Sequence, residues 1–287
     1  MRGFLVIVLG LAVFLGTSFA QAVLGPLPPT PLEEAVAKIK PAIGVLYREV
    51  NVYDEKGTFV RSYLDTGGTL TAIVSAASET CAATVAHSVE KKDEVVRRTS
   101  EEVVLPDRTK RAISLTHRFS GRYLATFDGV DRYDAELLAF RGGAGLFDDF
   151  AVFRVPVGKL PAVEFGNETM VRQGSAIFMM HSPIGIIGTF TNGYVGRQHD
   201  DPYPRTGPGL PILKRAYVLD IRMTHGSSGA FAYVLRGNTG YAFSMLVGYF
   251  YVGTAGGQLG SDFPNALGIT QFKKFLEDEK IFEKCAR

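Results

Sequence analysis

The pattern of hydrophobic and polar positions opens with an uninterrupted apolar stretch, FLVIVLGLAVFLG, at residues 4–16, after one positive charge at Arg2. Small residues follow at Ala20 and Ala22, which is typical of a cleaved secretory signal peptide. The apolar stretch is shorter than the roughly 20 residues that a membrane-spanning helix needs, so cleavage is favoured over an uncleaved anchor. We therefore predict a signal peptide over residues 1–22, cleaved after Ala20 or Ala22. The mature chain is then expected in the periplasm or outside the cell, with no stable membrane span.

Two later segments have the spacing of amphipathic helices. The first, LEEAVAKIK at residues 32–40, opens with acidic residues and is stopped by Pro41. It follows a proline-rich stretch, VLGPLPPTP, which is excluded from helix interiors and central strands. The second has apolar residues at helical intervals over residues 269–284. The pattern predicts a spacer with one short helix over residues 23–40, and a C-terminal helix over residues 269–284.

The long region between the two helices consists of short runs rich in branched and aromatic residues. Gly, Pro, Asp and Asn separate these runs, which include AIGVLYREV, GTLTAIVS, CAATVAH, SAIFMMH, RAYVLDIRM and GAFAYVLR. Many short strands without alternating long helices favour an antiparallel sandwich or barrel over a parallel α/β sheet. We predict an all-β domain over residues 41–287.

Composition narrows the possible partners. Charged residues make up 21% of the chain and the net charge is +2, without a sustained basic block. The charged run at residues 90–103 mixes both signs, as a solvated surface does. We therefore expect no binding of nucleic acid.

The chain contains two cysteines, Cys81 and Cys285. In an exported protein they either form one disulfide that ties the C-terminus to the region of Cys81, or stay as two thiols. The sequence leaves both possibilities open. Neither C-x-x-C nor H-x-x-x-H spacing occurs, so we expect no metal site.

The segment MTHGSSGAF at residues 223–231 contains a candidate serine nucleophile. Clusters of Ser and Gly are ordinarily turns, and a serine nucleophile needs a base that is oriented by an acid. All five histidines precede Ser228. This order excludes the α/β-hydrolases, in which the histidine comes last.

A second candidate begins at Asp65, in the sequence D-T-G. Pepsin-like chemistry needs two such carboxylates that share a proton, and this chain has a single D-T-G. The subtilisin order could be met by Asp65, His87 and Ser228, but subtilisin is an α/β fold and this region lacks helices between its strands. We interpret D-T-G as a turn that enters a strand.

The chain order His, Asp, Ser remains. It is met by T-V-A-H ending at His87, by D-F-A-V-F-R-V starting at Asp149, and by H-G-S-S-G-A around Ser228. These motifs resemble T-A-A-H, D-L-A-V-L-K-V and P-G-N-S-G-G of the trypsin-like serine proteases, most closely those of the HtrA/Deg group. The segment at residues 165–196 is also similar to that group, and the resemblance covers about residues 35–278.

This resemblance implies a chymotrypsin-like fold of two antiparallel β-barrels, the first at about residues 41–155 and the second at about 156–265, with the site between them. His87 would be the base, Asp149 its orienting acid and Ser228 the nucleophile that attacks polypeptides. The backbone N–H groups of Gly226 and Ser228 would form the oxyanion hole. Such chemistry needs no cofactor.

The resemblance also places the walls of the substrate pocket. The expected residues lie before the serine loop and on a later strand: Arg222, Met223, Thr224, Ser244, Met245 and Leu246. Ser244 is expected to support Asp149 and the substrate backbone. Met245 and Leu246 favour an apolar side chain, whereas Arg222, if it points inward, favours an acidic one.

The chain departs from the HtrA pattern in the interval between His87 and Asp149, which is longer than usual, and in two further ways, of which the change at Ala230 is small. Ala230 replaces the second glycine after the nucleophile, and we expect the PDZ domain of the group to be missing. The alternative class is a secreted binding protein that keeps the barrels without activity.

Overall fold

The computed structural model describes residues 28–89, 91–104, 108–142, 148–199, 216–254 and 257–285. The predicted signal peptide at residues 1–22 and the start of the spacer lie outside the described residues. Within these ranges, the helices are too short or too polar to cross a membrane.

The first helix, α1 (Pro31–Ile39), begins and ends one residue earlier than the sequence pattern predicts. The Thr30 side chain accepts a hydrogen bond from the Glu33 backbone N–H, and the Glu33 side chain accepts one from the Thr30 backbone N–H. This capping box fixes where the helix begins. Pro41 lies in the 3₁₀ turn that follows and leads the chain into the first strand.

The first sheet contains eight antiparallel strands in the order β4-β5-β1-β2-β3-β8-β7, with β6 beside β5. Their bounds are β1 (Ile43–Tyr53), β2 (Phe59–Ser75), β3 (Thr80–Thr84), β4 (Val95–Val104), β5 (Lys110–Thr126), β6 (Tyr133–Asp134), β7 (Glu136–Gly142) and β8 (Asp149–Val155). Strand β3, TCAAT, is fully buried, and its small residues fit between β2 and β8.

The second sheet contains seven strands in the order β13-β10-β11-β12-β15-β14-β9. Their bounds are β9 (Glu164–Phe165), β10 (Ala176–His181), β11 (Thr189–His199), β12 (Ala216–Asp220), β13 (Phe231–Arg236), β14 (Thr239–Thr254) and β15 (Gly257–Gly268). Because β13 also pairs with β14, six of these strands close into a ring.

The predicted all-β, chymotrypsin-like class is confirmed, with one difference between the two halves. The second sheet closes into a barrel, whereas the pairings among the described residues of the first sheet form an open path from β4 to β7. Each half still supplies its part of the candidate site. His87 follows β3, Asp149 opens β8, and the serine loop connects β12 to β13.

The predicted C-terminal helix is divided into α2 (Ile269–Asp278) and α3 (Ile281–Cys285). Lys280 has a φ of 52°, a left-handed backbone that interrupts the helical hydrogen bonds. Helix α2 packs against both sheets, since the ring of Phe272 lies 5.4 Å from Phe150 and 5.4 Å from Phe231. These rings belong to one buried apolar cluster that joins the two halves.

A disulfide joins Cys81 in β3 to Cys285 at the end of α3, with 6.0 Å between their Cα atoms. Of the two possibilities that the sequence leaves open, the structure has the disulfide. It connects residues that are 204 positions apart, so it strongly restricts the unfolded chain. The bond therefore fixes the C-terminal helices to the strand that leads to His87.

Replacing both cysteines with alanine should lower the free energy of unfolding by roughly 2–5 kcal/mol. The change is measured by urea denaturation of the variant and of the wild type, each with and without reductant. Reductant should lower the stability of the wild type to that of the variant and leave the variant unchanged. A wild type that reductant does not destabilise would contradict a stabilising disulfide.

Candidate active site

His87 lies in a 3₁₀ turn, Ala86–Ser88, directly after β3. Its Nδ1 is 2.6 Å from Asp149 Oδ2, and its backbone N–H donates to Asp149 Oδ1 at 2.8 Å. The carboxylate thus holds both the ring and the backbone of the histidine. This arrangement leaves Nε2 as the ring nitrogen for other partners, and 49% of the His87 side chain is exposed.

The register of the first sheet explains why these two residues meet. Strands β3 and β8 are antiparallel, and Thr84 pairs with Ala151. The residues that follow Thr84 therefore lie beside the residues that precede Ala151. The sequence predicted both His87 and Asp149, and the structure brings their side chains together.

Ser228 lies in the loop between β12 and β13, and this loop packs against the first sheet. The Ser228 carbonyl accepts a hydrogen bond from Thr69 N at 2.9 Å. Gly229 has a φ of 89°, and a Cβ there would lie 2.3 Å from Thr84 Oγ1. A glycine is therefore required for the loop to approach the end of β3.

The Ser228 hydroxyl forms no hydrogen bond with His87 or with any other residue in the described ranges. In free enzymes, catalytic hydrogen bonds often shorten only when the substrate binds. The two residues nevertheless belong to one small region. A Cβ at Gly68 would lie 2.9 Å from the Ser228 carbonyl and 3.3 Å from the hydroxyl of Ser88, which follows His87.

The orientation of two peptide groups leaves two backbone amides available in this loop. The carbonyl of His225 accepts from Ile184 N at 2.8 Å, and that of Ser227 accepts from Ala230 N at 3.1 Å. In a trans peptide the N–H points opposite to the carbonyl, so the amides of Gly226 and Ser228 point away from these contacts. Neither amide has an acceptor among the described residues, and such donors can bind a developing oxyanion.

A second histidine–serine pair lies beneath the loop. His181 Nδ1 is 2.7 Å from Ser227 Oγ, but 2% of His181 and 0% of Ser227 is exposed. A substrate therefore cannot reach this pair. Burial lowers the pKa of His181 to about 4, which keeps the ring neutral near pH 7.

Sequence reasoning missed this buried pair. The available signal was the position of His181 at the end of the apolar run SAIFMMH, which is typical of a buried histidine. Nothing in that run indicates Ser227 as the partner. The contact joins residues 46 positions apart and depends on how β10 lies against the serine loop.

The expected substrate-binding residues separate into two groups. Arg222 and Thr224 are exposed and Met223 is partly buried, directly before the serine loop. Met245 and Leu246 are 0% exposed, and both belong to apolar clusters of the core. Their side chains therefore do not line an open pocket, which corrects the expectation drawn from the sequence.

Ser244 also requires a correction. It is 0% exposed, and its Oγ has no hydrogen-bond partner among the described residues, so the expected support of Asp149 is absent. The strand register gives the reason. The loop hydrogen-bonds to Leu246, through Gly229 N to Leu246 O at 2.9 Å, while Ser244 pairs with Ala232 deeper in the sheet.

The described residues contain no group of three or more His, Cys, Asp or Glu side chains that could hold a metal ion. The groups that the site presents are the His87–Asp149 pair, the Ser228 hydroxyl and the two loop amides.

The chain was compared with families and structures of known proteins. The family model described as "Trypsin-like peptidase domain" matches residues 70–238, a range that includes His87, Asp149 and Ser228. No curated protein matches the chain.

Solved structures of an HtrA-type protease, AlgW, share the fold. AlgW with a decapeptide has a TM-score of 0.57 at 15% identity, over 86% of this chain and 66% of that chain. An alanine variant of AlgW with a decapeptide has a TM-score of 0.52 at 16% identity, over 82% of this chain and 62% of that one. The chain thus spans slightly less than two thirds of the length of these proteins. At such identities the similarity shows the fold alone.

Proposed function

Because this chain belongs to the trypsin-like peptidase domain family, we propose that it is a serine endopeptidase that hydrolyses peptide bonds through an acyl-enzyme. The observation that carries the proposal is the double hydrogen bond from His87 to Asp149, through its ring Nδ1 and its backbone N–H. This contact orients the histidine in the way that base catalysis requires. It also leaves the ring half exposed, within reach of a substrate.

Each group then has a defined role. Ser228 attacks the peptide carbonyl while His87 accepts the hydroxyl proton through Nε2 and later gives it to the leaving amine. Asp149 keeps the Nδ1 proton in place and stabilises the imidazolium that forms. The amides of Gly226 and Ser228 stabilise the oxyanion of the tetrahedral intermediate.

Two further observations extend the proposal to substrate and compartment. The similar AlgW structures contain a decapeptide, which supports polypeptides as substrates of this chain. The disulfide between Cys81 and Cys285 supports an oxidising compartment, as does the signal-peptide pattern of residues 1–22. We therefore place the mature protein in the periplasm or outside the cell.

A fluorophosphonate probe tests the proposal, because it reacts covalently with activated serines. We expect the wild type to be labelled, and mass spectrometry of the digested protein should locate the label on Ser228. Ser228→Ala should not be labelled, whereas the neighbouring variant Ser227→Ala still should be. A folded wild type that is neither labelled nor able to cleave a peptide library would contradict the proposal and favour a binding protein.

A further inference from the structure

The serine loop is held by three anchors, at His181, Ser182 and Ile184, at the end of β10 and directly after it. The His181 ring contacts Ser227 Oγ at 2.7 Å. Ser182 N donates to Thr69 Oγ1 at 3.0 Å, and the Thr69 hydroxyl donates to the carbonyl of Gly226 at 2.8 Å. Ile184 N donates to the carbonyl of His225 at 2.8 Å. The segment at residues 181–184 is therefore connected to three successive residues of the loop, to the middle one through Thr69.

Of these anchors, the His181 contact is the one made by a side chain of β10 itself. His181 is the last residue of β10, where it pairs with Thr189 of the neighbouring strand β11. Strand β10 also pairs with β13 on its other side. His181 itself is therefore paired on one edge, and the residues just before it, Phe178 and Met179, are paired on both.

The hydrogen bonds of Ser227 assign the protons of the pair. Thr224 N donates to Ser227 Oγ at 3.2 Å, and His181 Nδ1 is the acceptor within reach of the Ser227 hydroxyl proton among the described residues, so we assign the hydroxyl as the donor to Nδ1. His181 is then the neutral Nε2–H tautomer, and its Nε2 has no partner among the described residues. No charged side chain contributes to the lowered pKa of His181, which results from burial. The acceptor at Nδ1 is therefore retained near neutral pH.

The position of Ser227 links this contact to the oxyanion hole. Ser227 lies between Gly226 and Ser228, whose amides are the proposed donors. Its own backbone also closes the turn, with Ser227 N donating to Thr224 O at 3.0 Å and Ala230 N donating to Ser227 O at 3.1 Å. A rotation of Ser227 would therefore turn both neighbouring peptide groups.

We propose that His181 is a positioning residue, which holds the Gly226 and Ser228 amides in their productive orientation by accepting the hydrogen bond of Ser227. The inference rests on the proposed function, since it concerns the oxyanion hole of that reaction. Its consequence appears in kcat, because the oxyanion contact is made in the transition state and not in the bound substrate.

The test compares kcat and KM of His181 variants on one peptide substrate. His181→Leu removes the acceptor and should lower kcat by about tenfold, with KM changed by less than about twofold. His181→Asn restores an acceptor oxygen close to the position of Nδ1, and its kcat should stay within about threefold of the wild type. Combining His181→Leu with Ser227→Ala should lower kcat no further than the worse single variant, because both remove the same contact.

His117 provides the matched control. It is also a buried histidine, 1% exposed and hydrogen-bonded to Thr99 and Tyr63, but it lies on β5 and makes no hydrogen bond with the serine loop. His117→Leu should lower the free energy of unfolding and leave kcat within about twofold of the wild type.

Several results would overturn the inference while the proposed function stands. These are an unchanged kcat in His181→Leu, an equal loss in His181→Asn, an equal loss in His117→Leu, or a double variant whose losses multiply. A folded wild type with no measurable kcat would instead overturn the proposed function, and the role of His181 would fall with it.

Discussion

Ser228→Ala should lower kcat on a peptide substrate by about 10⁶-fold, because the variant lacks the attacking oxygen. The matched variant is Ser227→Ala, which should lose about tenfold or less, because it removes the contact with His181 but leaves the attacking oxygen in place. Both variants should keep the far-UV circular dichroism and the cooperative unfolding of the wild type. Ser228 is partly exposed and is not one of the buried core residues.

The reverse result would require a different site. If Ser227→Ala were inactive and Ser228→Ala retained its activity, the nucleophile would be Ser227, with the buried His181 as its base. The structure argues against that outcome, since Ser227 and His181 are 0% and 2% exposed. Opening of the loop would have to precede every turnover.

Asp149→Asn should lower kcat by about 10⁴-fold, because an amide cannot accept both hydrogen bonds that His87 now donates. If its nitrogen faces the ring, His87 is held in the tautomer that cannot accept the serine proton. The matched variant Asp148→Asn changes the neighbouring carboxylate and should cost about tenfold or less. The measurement is kcat for both variants on the peptide used for Ser228→Ala.

A low activity in Asp148→Asn together with a normal one in Asp149→Asn would show that the acid has been assigned one position too late. The register of β8 argues against this, because Asp149 pairs with Gly142 at the start of the strand and contacts His87 through both carboxylate oxygens.

The sequence predicts the fold well because short strands with turn residues between them leave few architectures. It also predicts the meeting of His87 and Asp149, since each lies at a strand end in a motif that resembles one family. Helix α1 lies within one residue of its predicted bounds at each end, because its apolar spacing and its capping box are both local features of the chain. Local signals of this kind do not depend on distant parts of the chain.

The predictions about Ser244, Met245 and Leu246 were wrong, and they concern side-chain contacts that depend on strand register. The β14–β15 pairing shifts between Leu246 and Gly248, and the β13–β14 pairing shifts between Ala232 and Tyr233. Such bulges change which face of the sheet a side chain occupies. The sequence of β14 did not lead us to predict them. The support expected from Ser244 is absent because the serine loop hydrogen-bonds to Leu246, while Ser244 pairs with Ala232 deeper in the sheet. The division of the C-terminal helix at Lys280 is likewise a backbone conformation that the apolar spacing does not show.

The packing of the C-terminal helices matters during synthesis, because these helices are made after the strands that they contact. Strand β3 leads to His87, and strand β8 begins with Asp149. Both strands leave the ribosome long before residues 269–285. Their packing partners come from that last segment, through the Phe150–Phe272 contact and the disulfide from Cys81 to Cys285. A nascent chain therefore contains its candidate acid, base and nucleophile before it can stabilise them. We therefore expect a chain that lacks residues 269–285 to hold His87 and Asp149 less firmly, since it lacks both of these contacts.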